Sequence, residues 1–328
     1  MKKLWLLMLA AFVAIVLAAC GSNDESDNAT EGSADDTDTE ETATEEESTL
    51  TFEHELGETT VDKNPETVVV FDMGILDALD GLGIEVTGLP QSNVPEYLSK
   101  YEGDEYTNAG SLFEPDFEEI FELDPDLIII SGRAAEAYDE LNEIAPTIYM
   151  GFDSVNFYDS FKNNLDMIGQ IFDKEAEVEE KLTEIDASIE EVQTLAEEQE
   201  AKGLLLMVNE GSLSVHGPGG RFDYLHSLFG IEPVDSSIDM ARHGQEVDFE
   251  YIEMQNPEYL FVIDRGAAVS TGEESGNELL ENSFVQNTQA YENDHIVFLD
   301  SIYWYITTGG LTSFAGMIEE VKEGLTEK

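Results

Sequence analysis

Cysteine occurs once in 328 residues, at position 20, so no disulfide framework is possible and the folded part must be held by a buried core. Basic residues are scarce as well: 14 Lys and Arg face 73 Asp and Glu, a formal net charge of −59. Nucleic acids and anionic lipid headgroups are bound through clusters of Lys and Arg, so both are poor partners. The longest apolar run, Leu4 to Leu17, falls short of the roughly 20 residues that a membrane-spanning helix needs. Also missing are a Gly-x-Ser-x-Gly elbow and a His-Glu-x-x-His pair, and the glycine-rich stretch His216 to Arg221 lacks the Lys-Ser/Thr of a phosphate cradle. No enzymatic machinery is in view. The histidines at 54, 216, 226, 243 and 295 show no paired spacing for a bare divalent metal, and no intrinsic cofactor is expected.

What is present begins with an address. Lys2 and Lys3, the apolar run and the small residues after it have the layout of a secretory leader over residues 1–19. The run ends in Leu17-Ala18-Ala19-Cys20, which resembles the lipobox of bacterial lipoproteins, where the cysteine is acylated and becomes the mature N-terminus. Residues 20–49 are almost entirely Asp, Glu, Ser, Thr, Ala, Gly and Asn; such a segment cannot offset its ordering entropy and reads as an acidic, disordered tether. Leu50 and Phe52 mark the start of the folded part. Acidic residues continue throughout it, and their mutual repulsion loosens a compact state at ordinary ionic strength. The Debye length falls to about 3 Å at 1 M salt, so the composition points to a saline habitat.

Against this background the four arginines, at 133, 221, 242 and 265, stand out. Two lie in an internal echo. Phe117-Glu118 leads through Pro125 and an apolar stretch to Arg133; Phe249-Glu250 leads through Pro257 and another apolar stretch to Arg265. All four correspondences share one offset, 249 − 117 = 132, which indicates two equivalent units. Each unit reads as a short helix capped by Asp116 or Asp248, a proline turn and a buried strand with the arginine just past its carboxyl end. Ligands of open parallel α/β sheets bind outside those ends, so facing sheets would present Arg133 and Arg265 to one cleft.

Between the units, apolar residues Leu182, Ile185, Ile189, Val192 and Ala196 follow steps of three and four, predicting an amphipathic helix from Glu175 to Glu200. Strands are expected at Val68 to Phe71, Ile84 to Thr87, Leu127 to Ile130 and Thr147 to Met150, then at Leu204 to Val208, Tyr259 to Ile263 and Ile296 to Leu299. The expected fold is α/β: a first lobe over 50–153, linker helices over 154–202 and a second lobe over 203–328, each Rossmann-like, with the cleft between them.

The ordered motifs Val68-Val69-Val70-Phe71-Asp72, Gly110-Ser111-Leu112 before Glu114-Pro115-Asp116-Phe117, Ile129-Ile130-Ser131-Gly132-Arg133, Gly217-Pro218-Gly219-Gly220-Arg221-Phe222, His243-Gly244-Gln245, Phe261-Val262-Ile263-Asp264-Arg265 and Trp304-Tyr305 resemble one family. It is that of the siderophore-binding lipoproteins of ABC importers, in the helix-linked class of periplasmic-binding-protein folds, nearest the catecholate and petrobactin-type receptors. The resemblance implies a ligand-binding triad of Arg133, Arg221 and Arg265, with His243 and Tyr305 completing the iron's coordination where the siderophore leaves sites open. It also implies docking of Glu118 and Glu250 on a membrane permease, lipidation at Cys20, and a monomeric receptor on the outer face of the cytoplasmic membrane. Arg242 does not match the triad. Some relatives carry Lys where Phe113 stands, so one possible cationic contact is missing. A haem or cobalamin receptor of the same fold is the alternative, though neither obviously needs three arginines.

Overall fold

The computed structural model describes residues 48–209, 211–238, 243–269 and 276–326; the leader, Cys20, nearly all of the tether and Arg242 lie outside them. Short, continuously apolar runs form the centre of the first lobe. Strands β3 (Val68–Val70) and β6 (Leu127–Ile130) are fully buried, as a parallel sheet covered on both faces requires. An antiparallel hairpin, β1 (Thr49–His54) and β2 (Gly57–Asp62), precedes them. With β4 (Gly88–Leu89), β5 (Thr107–Asn108) and β7 (Thr147–Tyr149), the first sheet has the order β5-β4-β3-β6-β7, all parallel. The strand expected at Ile84 to Thr87 is displaced. Ile84 and Val86 are buried, but in a connection, and only Gly88 and Leu89 join the ladder.

The second sheet is built from β8 (Lys202–Asn209), β9 (Ser212–His216), β10 (Glu232–Pro233), β11 (Gln245–Val247), β12 (Tyr259–Asp264) and β13 (Ile296–Leu299). Its order is β11-β9-β8-β12-β13, with β10 beside β8. Strands β8, β12 and β13 run parallel, and β9 and β11 turn the edge antiparallel.

The two halves of the echo form the same local structure. Asp116 caps the helix Phe117–Leu123 through the amides of Glu118 and Glu119, and Asp248 caps Phe249–Gln255 through that of Tyr251. Both helices end on a residue in the left-handed region, Asp124 at φ 50° and Asn256 at φ 47°, and both bury a central isoleucine, Ile120 and Ile252. Asp and Asn tolerate that conformation better than other non-glycine residues, which is why a polar residue stands before each proline turn.

Between the sheets run the helices Phe157–Ile171 and Glu175–Glu198, the second burying Val178, Ile185, Ile189, Val192 and Ala196 on one stripe. The last helix, Leu311–Thr326, packs on that helix and on Met73–Gly81 of the first lobe, so the chain's end ties both lobes together. Asp77, fully buried, forms the joint. Its carboxylate accepts from the amides of Thr312 at 3.0 Å and Ser313 at 2.8 Å and from the Tyr97 hydroxyl at 3.0 Å. It thus caps a helix 235 residues away. Asp77→Ala is expected to lower the unfolding free energy by about 2–3 kcal/mol, because two helix amides and a phenol lose their acceptor inside the protein. Urea denaturation at fixed pH measures it, and a loss under about 0.5 kcal/mol would contradict the joint.

Candidate functional site

Strand ends supply the site. Asp72 follows β3, Ser131 and Arg133 follow β6, Asn209 closes β8 and Arg265 follows β12, all at carboxyl ends of parallel strands. Arg221 arrives differently, on the loop after β9, an antiparallel strand. After β13 the chain makes one π-helical turn, Ile302–Ile306, closed by the Thr307 amide on the Ile302 carbonyl at 2.9 Å. Such turns are rare and tend to mark functional positions. This one carries Tyr303, Trp304 and Tyr305.

Tyr305 is where the three guanidiniums meet. Arg133 Nη2 donates to the Tyr305 carbonyl oxygen at 2.7 Å, and Arg221 Nη2 donates to the same oxygen at 3.2 Å. Arg265 Nε donates to the Tyr305 hydroxyl at 2.7 Å while its Nη1 donates to Asn209 Oδ1 at 2.8 Å. The Arg221 guanidinium also lies over the Tyr305 ring, 4.2 Å from its centroid, and Arg265 lies 5.2 Å from it. Carbonyls at a helix end lack intrahelical partners and carry partial negative charge, so this backbone oxygen is a natural acceptor for two cations. Arg133 comes from the first lobe and Arg221 from the second, so their shared acceptor bridges the lobes.

The triad is sparsely neutralised. Arg133 Nη1 lies 3.7 Å from Asp72, a buried carboxylate already engaged by the amides of Gly74 and Ile75 and by the Ser131 hydroxyl. No ion pair to a carboxylate is found for Arg221 or Arg265 among the described residues. Burial lowers the Arg221 pKa, and the like charge of Arg133 adds to that. At Tyr305 burial pushes the phenol up, but the Arg265 hydrogen bond and the charge of Arg221 outweigh it, leaving its pKa below the ordinary tyrosine value. The site therefore favours negative charge, on its own phenol or on a ligand.

Below Tyr305 the turn is anchored by aromatic packing and one acid. Trp304 is fully buried, its ring 5.5 Å from Tyr224 and within 6.5 Å of Phe222 and Phe229. Its indole Nε1 donates to Glu320 Oε2 at 2.7 Å, and Glu320 Oε1 accepts from the Asp300 amide at 2.9 Å. Burial, with the charges of Asp300 and Glu323 behind it, pushes the Glu320 carboxyl up to about 7.

His243 is exposed in the turn before β11, next to Gly244 at φ 75°, and among the described residues no hydrogen bond ties it to Tyr305. Glu118 and Glu250 are exposed on the first turns of the echoed helices. Among the described residues no cluster of three or more His, Cys, Asp or Glu is placed to hold a metal ion, and no helix is long and apolar enough to cross a membrane. Two surface hollows, of about 510 and 390 Å³, lie along the helix Glu175–Glu198, and no arginine lines either. Sequence reasoning gave no role to Asp72, Asn209 or Glu320. Asp72 alone left a signal, an Asp between a buried strand and a helix, which is an N-cap pattern.

Comparisons with known proteins give the chain's family and its relatives. A family model described as periplasmic binding protein matches residues 68–303. The petrobactin-binding protein of Bacillus subtilis (strain 168) is 46% identical over 99% of this chain and 99% of its own. Its crystal structure superposes with a TM-score of 0.83 at 48% identity, covering 85% of this chain and 99% of that one. The periplasmic catecholate-siderophore binding protein of Vibrio cholerae gives a TM-score of 0.79 at 38% identity, over 84% of this chain and 99% of that one.

Proposed function

The chain belongs to the periplasmic binding protein family, and on that footing we propose that it captures an anionic ferric siderophore, a catecholate or citrate-catecholate, for an iron-importing ABC permease. The family is one of binding proteins rather than enzymes, and the chain's role is to bind a solute. The observation that carries the ligand class is the convergence of Arg133, Arg221 and Arg265 on Tyr305, where among the described residues the one ion pair to a carboxylate is Arg133 with Asp72 at 3.7 Å. A neutral carbonyl is a modest partner for a guanidinium, and charged acceptors make hydrogen bonds roughly twice as strong. Anionic catecholate oxygens would thus replace the Tyr305 carbonyl at a net gain. The guanidiniums stay charged when desolvated and stack on aromatic rings, which suits a trianionic tris-catecholate. Where the siderophore leaves iron sites open, the Tyr305 phenolate, a hard oxygen donor, and His243 would complete the coordination.

Trp304 tests this directly, since the only other tryptophan is Trp5 in the leader. Fluorescence titration in about 1 M salt, which screens the repulsion within so acidic a chain, compares ferric catecholates, ferric hydroxamates, haem and cobalamin. Saturable quenching by the ferric catecholates is expected. Quenching by haem or cobalamin alone would overturn the reading in favour of those ligands.

Capture at the cell surface requires an anchor, and acylated Cys20 on the acidic tether would hold a monomeric receptor at the outer face of the cytoplasmic membrane. Cys20→Ser is expected to move the protein from the membrane fraction to the medium; a variant that still pellets with membranes would sink the lipid anchor. Glu118 and Glu250, one exposed acid per lobe, would meet basic groups of the permease.

A further inference from the structure

Large apolar side chains seldom stand open on this surface, and the three most open among the described residues are Met254 at 71%, Phe113 at 70% and Phe121 at 70%. Isolated exposed apolar residues need no explanation. Two of these are not isolated in that sense, because they sit on the two echoed helices. Phe121 follows Glu118 by three positions on Phe117–Leu123, and Met254 follows Glu250 by four on Phe249–Gln255. Spacings of three and four put each apolar side chain on the same helix face as the acid. Ile120 and Ile252 turn the opposite faces into the core. Each lobe thus offers the same pair, one acid and one large apolar side chain, although the two anchors are not at corresponding positions of the echo.

We propose that Phe121 and Met254 are paired apolar anchors of a docking face, each entering an apolar pocket rimmed by basic groups on the extracytoplasmic side of an ABC permease. The inference rests on the reading of Glu118 and Glu250 as docking acids, and it deepens that reading. Charge selects the occupant. Phe121 is flanked by Glu118, Glu119 and Glu122, and Met254 by Glu250 and Glu253. An anionic lipid surface would be repelled, and a second copy would set acid against acid in a chain of net charge −59. A basic rim around an apolar pocket satisfies both parts of each pair, in the pattern of a buried anchor ringed by polar contacts. Equivalent pairs on two equivalent lobes also suit a partner with two-fold symmetry.

The test is the affinity of the full chain for the permease complex reconstituted in nanodiscs of zwitterionic lipid, with empty nanodiscs as the lipid arm. Phe121→Ser with Met254→Ser is expected to weaken binding at least tenfold, each single change about threefold, while melting temperature and Trp304 titrations with ferric petrobactin stay unchanged. Undiminished binding by the double variant, alongside a loss with Glu118→Ala plus Glu250→Ala, overturns the apolar anchors and leaves the docking acids standing. No loss with either pair overturns the docking face as a whole. Binding of the parent to empty nanodiscs, or a fall in solution mass on making the double variant, would reassign the patch to lipid or to self-association.

Discussion

Arg221→Ala is expected to weaken capture of an anionic ferric complex at least tenfold, with Arg133→Ala and Arg265→Ala also costing tenfold or more and Arg242→Ala costing nothing measurable. A tenfold loss is about 1.4 kcal/mol, and a charge-assisted hydrogen bond is worth roughly 1.5–3 kcal/mol, so one contact per arginine suffices. The surroundings rank the three. Among the described residues Arg221 has no carboxylate partner, and burial already lowers its pKa, so an anionic ligand relieves its desolvation most. Arg133 shares some charge with Asp72 at 3.7 Å, so less of its attraction is free for a ligand. Arg265 is braced by Asn209 and the Tyr305 hydroxyl, and its loss also frees the phenol. Lysine at 221 is expected to restore part of the affinity, since it keeps the charge but not the planar fork or the stack on Tyr305. Fluorescence titration of Trp304 reads all of these. Equal losses at all four positions would remove the triad from consideration.

The route from sequence to this site shows which signals are local. Caps, proline turns and buried runs act within a few residues, so the echoed units and the strands ending before Arg133 and Arg265 could be read without coordinates. The strand expected at Ile84 to Thr87 failed for a related reason: apolar residues report burial, and Ile84 and Val86 are buried without pairing. Arg221 was legible only through resemblance, because β9 runs against the strand-end rule and a loop brings the arginine back. Tyr305 was named through the resemblance too, but its carbonyl as the shared acceptor of two arginines was not legible at all. A backbone carbonyl has no residue type, and the bond from Arg133 to Tyr305 spans 172 residues. Glu320 was hidden for the opposite reason, as one acid among 73 Asp and Glu.

Glu320 nevertheless should dominate how stability responds to pH near neutrality. Its carboxyl is pushed from 4.5 to about 7, chiefly by burial, while Trp304 Nε1 and the Asp300 amide pull the other way. A folded-state value above the unfolded one means that folding favours the protonated acid. Its contribution is complete below about pH 4.5 and is lost as pH rises through 7, a full swing on the order of 3 kcal/mol. The rest of the acid surface also repels more strongly as pH rises, but that part is common to parent and variant and cancels in their difference. Glu320→Gln cannot ionise, so relative to the parent it should gain about 2–3 kcal/mol between pH 5 and 8 in urea denaturation. Its fluorescence should also lack a titration near pH 7 that the parent shows, because the indole donor is bonded to this carboxylate. A parent–variant difference that stays constant across that range would mean that Glu320 keeps an ordinary pKa.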